Sequence, residues 1–156
     1  MIERVREYFK NFGIDNKILE FDVSSATVEL AAKALNTSEG RIAKSMAFIQ
    51  GEDVVIIVMT GDVKIDNSKY KSVFHTKAKM VPFDAVCDVV GHKAGGVCPF
   101  AINDGISVYL DISVKKYDTI FPACGSSNSA IELTHLELEK YSQNFKGYVD
   151  VTKEIE

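Results

Sequence analysis

A glycine-rich stretch, residues 91–100, constrains this chain more than any other part of it. The stretch contains three glycines and one proline in ten residues, which excludes a continuous helix or a central strand. The pair Gly95-Gly96 lets bare backbone approach a ligand and can direct amide N–H groups at a negatively charged oxygen. Three residues are expected to anchor the stretch on the core: Val97, Pro99 and Phe100. A tight turn would need fewer residues, so the sequence predicts a ligand-binding loop.

Two adjacent apolar segments predict a β-hairpin near the middle of the chain. Residues 42–49 and 54–60 are strand-like, and Gly51 lies in the turn between them. The second segment is apolar at nearly every position, which indicates a strand buried on both faces. The first alternates, so Lys44 shares a face with Met46 and Phe48.

The remaining patterns predict a mixture of helices and strands in one domain covering residues 1–156. Helices are expected at 2–12, 28–35, 66–74, 83–90 and 134–145, the last opened by a Thr134–Glu137 capping box. Further strands are expected at 17–21, 79–81, 107–111, 118–123, 130–133 and 148–151. Hairpins and helices in this irregular order favour the α+β class and a mixed sheet.

Lys44 is the strongest single candidate for a functional side chain. It occupies a strand position surrounded by Ile42, Ala43, Met46 and Ala47. Lysine is seldom buried without a partner, because removing an ammonium ion from water is costly. Either this face lies exposed at a sheet edge, or the lysine is a functional cation in a pocket; the residues alone leave both open.

The cysteines and the missing motifs exclude several classes of protein. Three widely spaced cysteines do not form a disulfide framework, and their spacing lacks the close pairs of a structural zinc site. The sequence also lacks the phosphate-loop, dinucleotide-binding and α/β-hydrolase signatures. We therefore expect no metal and no cofactor. Cys98, six residues after His92, remains an alternative nucleophile.

The charge distribution bears on possible partners. A net charge of −4 argues against a protein that coats nucleic acid, and the apolar run at 54–59 is too short to cross a bilayer. We expect a cytoplasmic protein with no membrane or DNA partner. The segment from Lys64 to Lys79 is nevertheless basic, with five lysines and His75 against Asp66 alone. It is either a solvated surface or a contact for phosphates.

These pieces together resemble the YbaK/prolyl-tRNA-synthetase-associated domain family over nearly the whole chain. Five segments are similar to the family's motifs, in the family's order: Arg41-Ile42-Ala43-Lys44-Ser45, Val58-Met59-Thr60-Gly61-Asp62, Gly91 with Gly95-Gly96-Val97-Cys98-Pro99-Phe100, Val108-Tyr109-Leu110-Asp111, and Ala123-Cys124-Gly125. Two positions depart from the pattern: Cys98, where serine or proline is commoner, and Ala101, where the family usually has glycine.

The resemblance implies an enzyme that hydrolyses the ester of mischarged aminoacyl-tRNA, a trans-editing deacylase of the tRNA(Pro) type. It implies a mixed, strongly curved sheet flanked by helices, Lys44 as the catalytic cation, and the aminoacylated tRNA 3′ end as partner, with an aminoacyl-tRNA synthetase as a further one. The implied substrate-binding residues are Ser45, Met46, Gly61, Asp62, Gly95, Gly96, Val97, Cys98, Pro99, Phe100 and Gly125. Met46, Phe48, Val97 and Cys98 are the expected pocket lining.

A binding module without turnover remains the alternative to a deacylase. It depends on Ala101, because a Cβ disfavours the positive φ that glycine would adopt in the loop.

Overall fold

The central hairpin organises a curled mixed sheet. The computed structural model describes residues 2–155, and within them five strands form the main sheet. They are Ile42–Gln50 (β2), Asp53–Thr60 (β3), Ser107–Asp111 (β5), Phe121–Pro122 (β6) and Phe145–Val149 (β8), and their order in the sheet is β6-β2-β3-β5-β8. β2 and β3 are antiparallel, whereas β3–β5, β5–β8 and β2–β6 are parallel. The predicted α+β class and mixed, curved sheet are thus confirmed.

Two small two-stranded ribbons complete the β structure of the described residues. β1 (Leu19–Glu20) pairs with β7 (Ser129–Ala130), and β4 (Val63–Ile65) pairs with β9 (Thr152–Glu154). β4 and β9 were not predicted, because each has only three residues and neither alternates in hydrophobicity over a useful length.

Five α-helices lie around the sheet in the part of the chain that the structure describes. They are α1 (Ile2–Lys10), α2 (Val28–Leu35), α3 (Asn67–Phe74), α4 (Val86–Val90) and α5 (His135–Tyr141). The Thr27 hydroxyl accepts the Leu30 N–H at the start of α2, and the Thr134–Glu137 capping box opens α5 as predicted.

Several sequence-based boundaries are wrong. α1 ends at Lys10 and not at residue 12, and the strands expected at 118–123, 130–133 and 148–151 are instead β6 (Phe121–Pro122), β7 (Ser129–Ala130) and β8 (Phe145–Val149). α5 ends at Tyr141 instead of reaching residue 145, because β8 begins at Phe145. The helix expected at 83–90 covers only α4. The strand expected at 79–81 makes a single bridge, Met80 opposite Phe48.

β3 is buried on both faces, as its continuous apolar run predicts. Ile56 and Val58 pack into the larger core with Phe9 and Phe100. Ile57 and Met59 pack into a second core on the opposite face of the sheet. A third small cluster joins α2 to the start of β2 and to β6. No helix within residues 2–155 is long and apolar enough to cross a membrane.

Candidate active site

Backbone hydrogen bonding along the edge of β2 that faces away from β3 is interrupted at Ser45. At one end of β2, Ile42 and Ala43 pair with β6. At the other, Ile49 N–H donates to Lys79 O at 2.8 Å and Val81 N–H donates to Ala47 O at 3.0 Å. Because backbone groups alternate in direction along an antiparallel strand, Ser45 faces the same edge as Ala47, and no described strand pairs with it there.

A cavity of about 310 Å³ lies at this interruption. Its walls come from the entry into α2, the first half of β2, residues 80–86, the glycine-rich loop and the segment around β6 and β7. The lining residues used below are Ser25, Lys44, Ser45, Met46, Met80, Phe83, Gly95, Val97 and Ser129. None of the described lining residues is an acid, a histidine or a cysteine.

Lys44 is a half-buried cation in the wall of the cavity. Its ammonium donates a hydrogen bond to the Val63 carbonyl of β4 at 2.5 Å. Partial burial lowers the pKa of the amine below its usual value, and the nearby Asp62 carboxylate opposes that change. An ammonium has three N–H donors, so two remain for a ligand after the bond to Val63. Lys44 is therefore neither a freely solvated edge residue nor a fully buried one.

Asp62 is held ionised beside this lysine. Burial raises the pKa of the carboxyl group, but hydrogen bonds from Thr60, Tyr117 and Lys116 outweigh it and bring the pKa to about 2. Gly61, the residue before it, allows close packing, since a Cβ there would lie 2.2 Å from the Glu39 carbonyl oxygen. Gly61 and Asp62 are not among the lining residues, and Asp62 acts on Lys44 through its charge.

The glycine pair packs against the protein's own chain. A Cβ on Gly95, whose φ is +91°, would lie 3.0 Å from the Ala26 Cβ. A Cβ on Gly96 would lie 2.7 Å from backbone atoms of Gly125 and Ser126. The expectation that both glycines free the backbone for a ligand is therefore revised: their small size seats the loop between the entry into α2 and the 125–126 turn.

The N–H groups of the loop divide into used and available donors. Gly96 N–H is occupied by Lys93 O at 2.9 Å. Gly95 and Val97 line the cavity, and within residues 2–155 their N–H groups have no hydrogen-bond acceptor. Those two amides, rather than the Gly95-Gly96 pair, are the loop's candidate donors to a ligand oxygen.

The end of the loop lies in the core behind the cavity. Cys98, Pro99 and Phe100 are buried, and the Phe100 ring packs 4.7 Å from that of Phe9, centroid to centroid. Burial raises the pKa of the Cys98 thiol to about 12, although hydrogen bonding with the backbone of Phe100, and to a smaller extent of Gly125, opposes this. A protonated thiol outside the cavity wall cannot serve as the nucleophile.

The predicted site residues thus separate into two groups. Lys44, Ser45, Met46, Gly95 and Val97 share the cavity wall. The predicted site residues that are not part of the cavity lining are Gly61, Asp62, Gly96, Cys98, Pro99, Phe100 and Gly125. Phe48, expected in the pocket lining, is instead buried in the second core.

Several lining residues were not recognised from the sequence. Ser25 and Thr27 were interpreted only as helix-capping residues, and Phe83 only as part of a helix.

The hydroxyls of Ser25 and Ser45 are both buried, and neither has a hydrogen-bond partner among the residues described. Buried hydroxyls are seldom left unpaired, so this wall has unused hydrogen-bonding capacity.

Comparison with known proteins gives the same family as the sequence motifs. A family model described as an aminoacyl-tRNA editing domain matches residues 22–141. An uncharacterized protein of Bacillus subtilis, YwhH, is 47% identical over 156 residues, covering 99% of each chain. The proline–tRNA ligase of B. subtilis is 27% identical over 90 residues, covering 57% of this chain and 16% of the ligase.

A solved structure has the same fold. A crystal structure described provisionally as a trans-editing enzyme for prolyl tRNA synthetase superposes with a TM-score of 0.86 at 23% identity, covering 97% of this chain and 96% of the other.

Proposed function

The chain belongs to the aminoacyl-tRNA editing domain family, and from this premise we propose that it hydrolyses the ester bond of mischarged aminoacyl-tRNA. One observation carries the proposal. Lys44, Gly95 and Val97 line one cavity: the half-buried ammonium of Lys44 keeps N–H donors beyond its bond to Val63, and the two backbone amides have no acceptor among the described residues. Cationic and amide donors in one partly desolvated hollow suit a reaction in which an oxygen becomes negatively charged.

The reaction adds water across the ester. Attack on the carbonyl carbon moves an electron pair onto the carbonyl oxygen, and the Gly95 and Val97 amides stabilise the resulting oxyanion. Lys44 contributes positive charge through the N–H groups that the Val63 carbonyl leaves available. Collapse of the intermediate breaks the bond to the ribose oxygen, which takes up the proton that the attacking water has given up, and releases the amino acid.

The substrate itself supplies the group that orients the water. The described lining residues include no carboxylate, imidazole or thiol that could act as a general base. The free hydroxyl of the terminal ribose lies next to the ester in any aminoacyl-tRNA. We assign it the role of holding the attacking water, so the protein's task is to position the ester and stabilise charge.

The size of the cavity favours a small aminoacyl group. At about 310 Å³ it is at the lower end of the range of ligand pockets, roughly 300–1,000 Å³. A second site that admits only smaller groups corrects errors that a synthetic site cannot avoid. Similarity to segments of proline–tRNA ligases supports tRNA(Pro) as the substrate and a synthetase as a docking partner.

A panel of mischarged tRNAs tests the proposal. We expect the wild-type protein to deacylate at least one of them, and Lys44→Ala to lower kcat by about 100-fold or more, the scale of losing one oxyanion donor. Lys64→Ala is the matched control, because Lys64 lies exposed on β4 next to Val63 and should leave the rate unchanged. Absence of hydrolysis across the panel, or full activity in Lys44→Ala, would reject the proposal.

The alternative of a binding module loses its sequence argument. Ala101 adopts a φ of +53°, so the chain makes the left-handed conformation here without glycine. Binding of a nonhydrolysable aminoacyl-adenosine, combined with no turnover of the ester, would restore that alternative.

A further inference from the structure

Two large apolar side chains of the cavity lining are exposed to solvent. Phe83 is 82% exposed, more than any other large hydrophobic residue described, and Met80 is 53% exposed. Both belong to the cavity lining. Leaving a phenylalanine exposed forgoes the stabilisation that burial would give, and exposed aromatic side chains beside a pocket mark contact surfaces.

Phe83 is carried by a constrained segment. The preceding Pro82 has a fixed φ, and Ala85 N–H donates to Pro82 O at 2.9 Å, which closes a turn around Phe83. On the other side, Val81 and Lys79 are hydrogen-bonded to the edge of β2. The ring is therefore presented from a defined position next to the opening.

Two cations without an ion pair precede Phe83 in the same segment of the chain. Lys77 and Lys79 are exposed, and among the described residues neither takes part in an ion pair. In contrast, Lys69 is paired with Asp150, at 3.1 Å. From residue 67 to residue 85 the chain carries four lysines and a single acid, Asp84.

We propose that this surface, formed by Lys77, Lys79, Met80 and Phe83, holds the last nucleosides of an RNA 3′ end. Phe83 stacks on the terminal base, and the two lysines contact the phosphates that precede it. The inference rests on the proposed function, because it places the aminoacyl group in the cavity and the nucleoside at its mouth.

The chemistry of the surface favours RNA over a protein partner. Aromatic stacking together with cations is the usual means of holding single-stranded nucleic acid without reading its sequence. Two exposed apolar side chains are few for a stable protein interface, which buries on the order of 1,000 Å² or more. A protein partner is therefore an outcome of the test and not the proposal.

The first experiment separates KM from kcat. With the tRNA that the wild type deacylates, Phe83→Ala should raise KM by about 5- to 150-fold, the equivalent of ~1–3 kcal/mol for one stacked base, and leave kcat within about twofold. Phe83→Tyr should keep the wild-type KM, because tyrosine also stacks. Leu136→Ala is the control, since Leu136 is 64% exposed on α5 and does not line the cavity.

The second experiment measures binding without chemistry. A short RNA ending in 2-aminopurine should lose fluorescence on binding the wild type and Phe83→Tyr, and should keep it with Phe83→Ala. Lys77→Ala and Lys79→Ala should each weaken that binding and reduce its dependence on salt.

The two experiments distinguish this inference from the proposed function. Wild-type KM and wild-type quenching in Phe83→Ala would overturn the inference and leave the deacylase intact. Loss of binding to purified prolyl-tRNA synthetase in Phe83→Ala, with KM for free tRNA unchanged, would overturn it in favour of a protein contact. The wild-type protein could deacylate no tRNA and still quench 2-aminopurine fluorescence in a way that depends on Phe83. That result would support the RNA-binding surface and reject the proposed reaction.

Discussion

Two opposing effects of its surroundings set the charge on Lys44, and from them we expect the proposed reaction to be sensitive to alkaline pH. Partial burial lowers the pKa of the amine, and the Asp62 carboxylate raises it. Because the ammonium is the active form in the proposed mechanism, the rate should fall as pH rises through a pKa lower than that of an ordinary lysine. In Asp62→Asn the carboxylate is lost, so the pKa falls further and the decline should begin at lower pH.

The measurement is the pH–rate profile of enzymatic deacylation after subtraction of spontaneous ester hydrolysis. Asp150→Asn serves as the control, because it removes an exposed carboxylate that is paired with Lys69 and not with Lys44. Coincident alkaline limbs in the wild type and Asp62→Asn would show that the Asp62 charge does not act on the reacting group.

At the scale of the element, the glycine-rich loop depends on its fit against neighbouring backbone. A Cβ in Gly96→Ala would lie 2.7 Å from atoms of Gly125 and Ser126, which are backbone atoms and cannot rotate away. We expect a loss of about 1–3 kcal/mol in the free energy of unfolding and a lower kcat, because the amides of Gly95 and Val97 move with the loop.

Urea unfolding and single-turnover deacylation of Gly96→Ala test this expectation. Gly105→Ala is the control: its φ of +88° strains alanine, but its Cβ would meet nothing within 4 Å. It should therefore lose stability and keep its rate of deacylation. A fully stable and fully active Gly96→Ala would contradict the packing argument.

The sequence predicts those helices and strands whose side chains follow a regular pattern of apolar and polar positions. The hairpin of β2 and β3, the start of α5 and the doubly buried β3 were all readable from alternation, capping and continuous apolar character. The end of α5 was not, since hydrophobic spacing continues to Phe145 while tertiary pairing assigns that residue to β8. In the site, Lys44 was identifiable as an anomalous lysine. The roles of Gly96 and Cys98 were not, because they depend on the 125–126 turn, which is distant in sequence.

At the scale of the whole molecule, the buried side chain of His92 makes the free energy of unfolding depend on pH in the acid range. It is fully buried, and its Nε2 lies 2.7 Å from the Phe100 carbonyl oxygen. Burial lowers its pKa to about 4, against which the hydrogen bond to Phe100 acts only partly. Between pH 6.5 and 4 the unfolded chain binds more protons at this residue than the folded one, so the free energy of unfolding falls as pH falls, by up to about 3 kcal/mol.

Urea titrations at a series of pH values from 7 to 4 measure this dependence. In His92→Gln the side chain can still donate to the Phe100 carbonyl but does not titrate, so stability should change less over that window. His135→Gln is the control, because His135 lies at the solvent-accessible start of α5. Parallel curves for the wild type and His92→Gln would contradict the assignment.

The interrupted edge of β2 also bears on self-association. An open strand edge is ordinarily a template on which another chain can add, and natural proteins shield such edges. Here the open position lies in a cavity of about 310 Å³ that residues of α2 and of the glycine-rich loop also line. The backbone groups at this position can therefore be available to a small ligand without presenting a long, open strand edge to another chain.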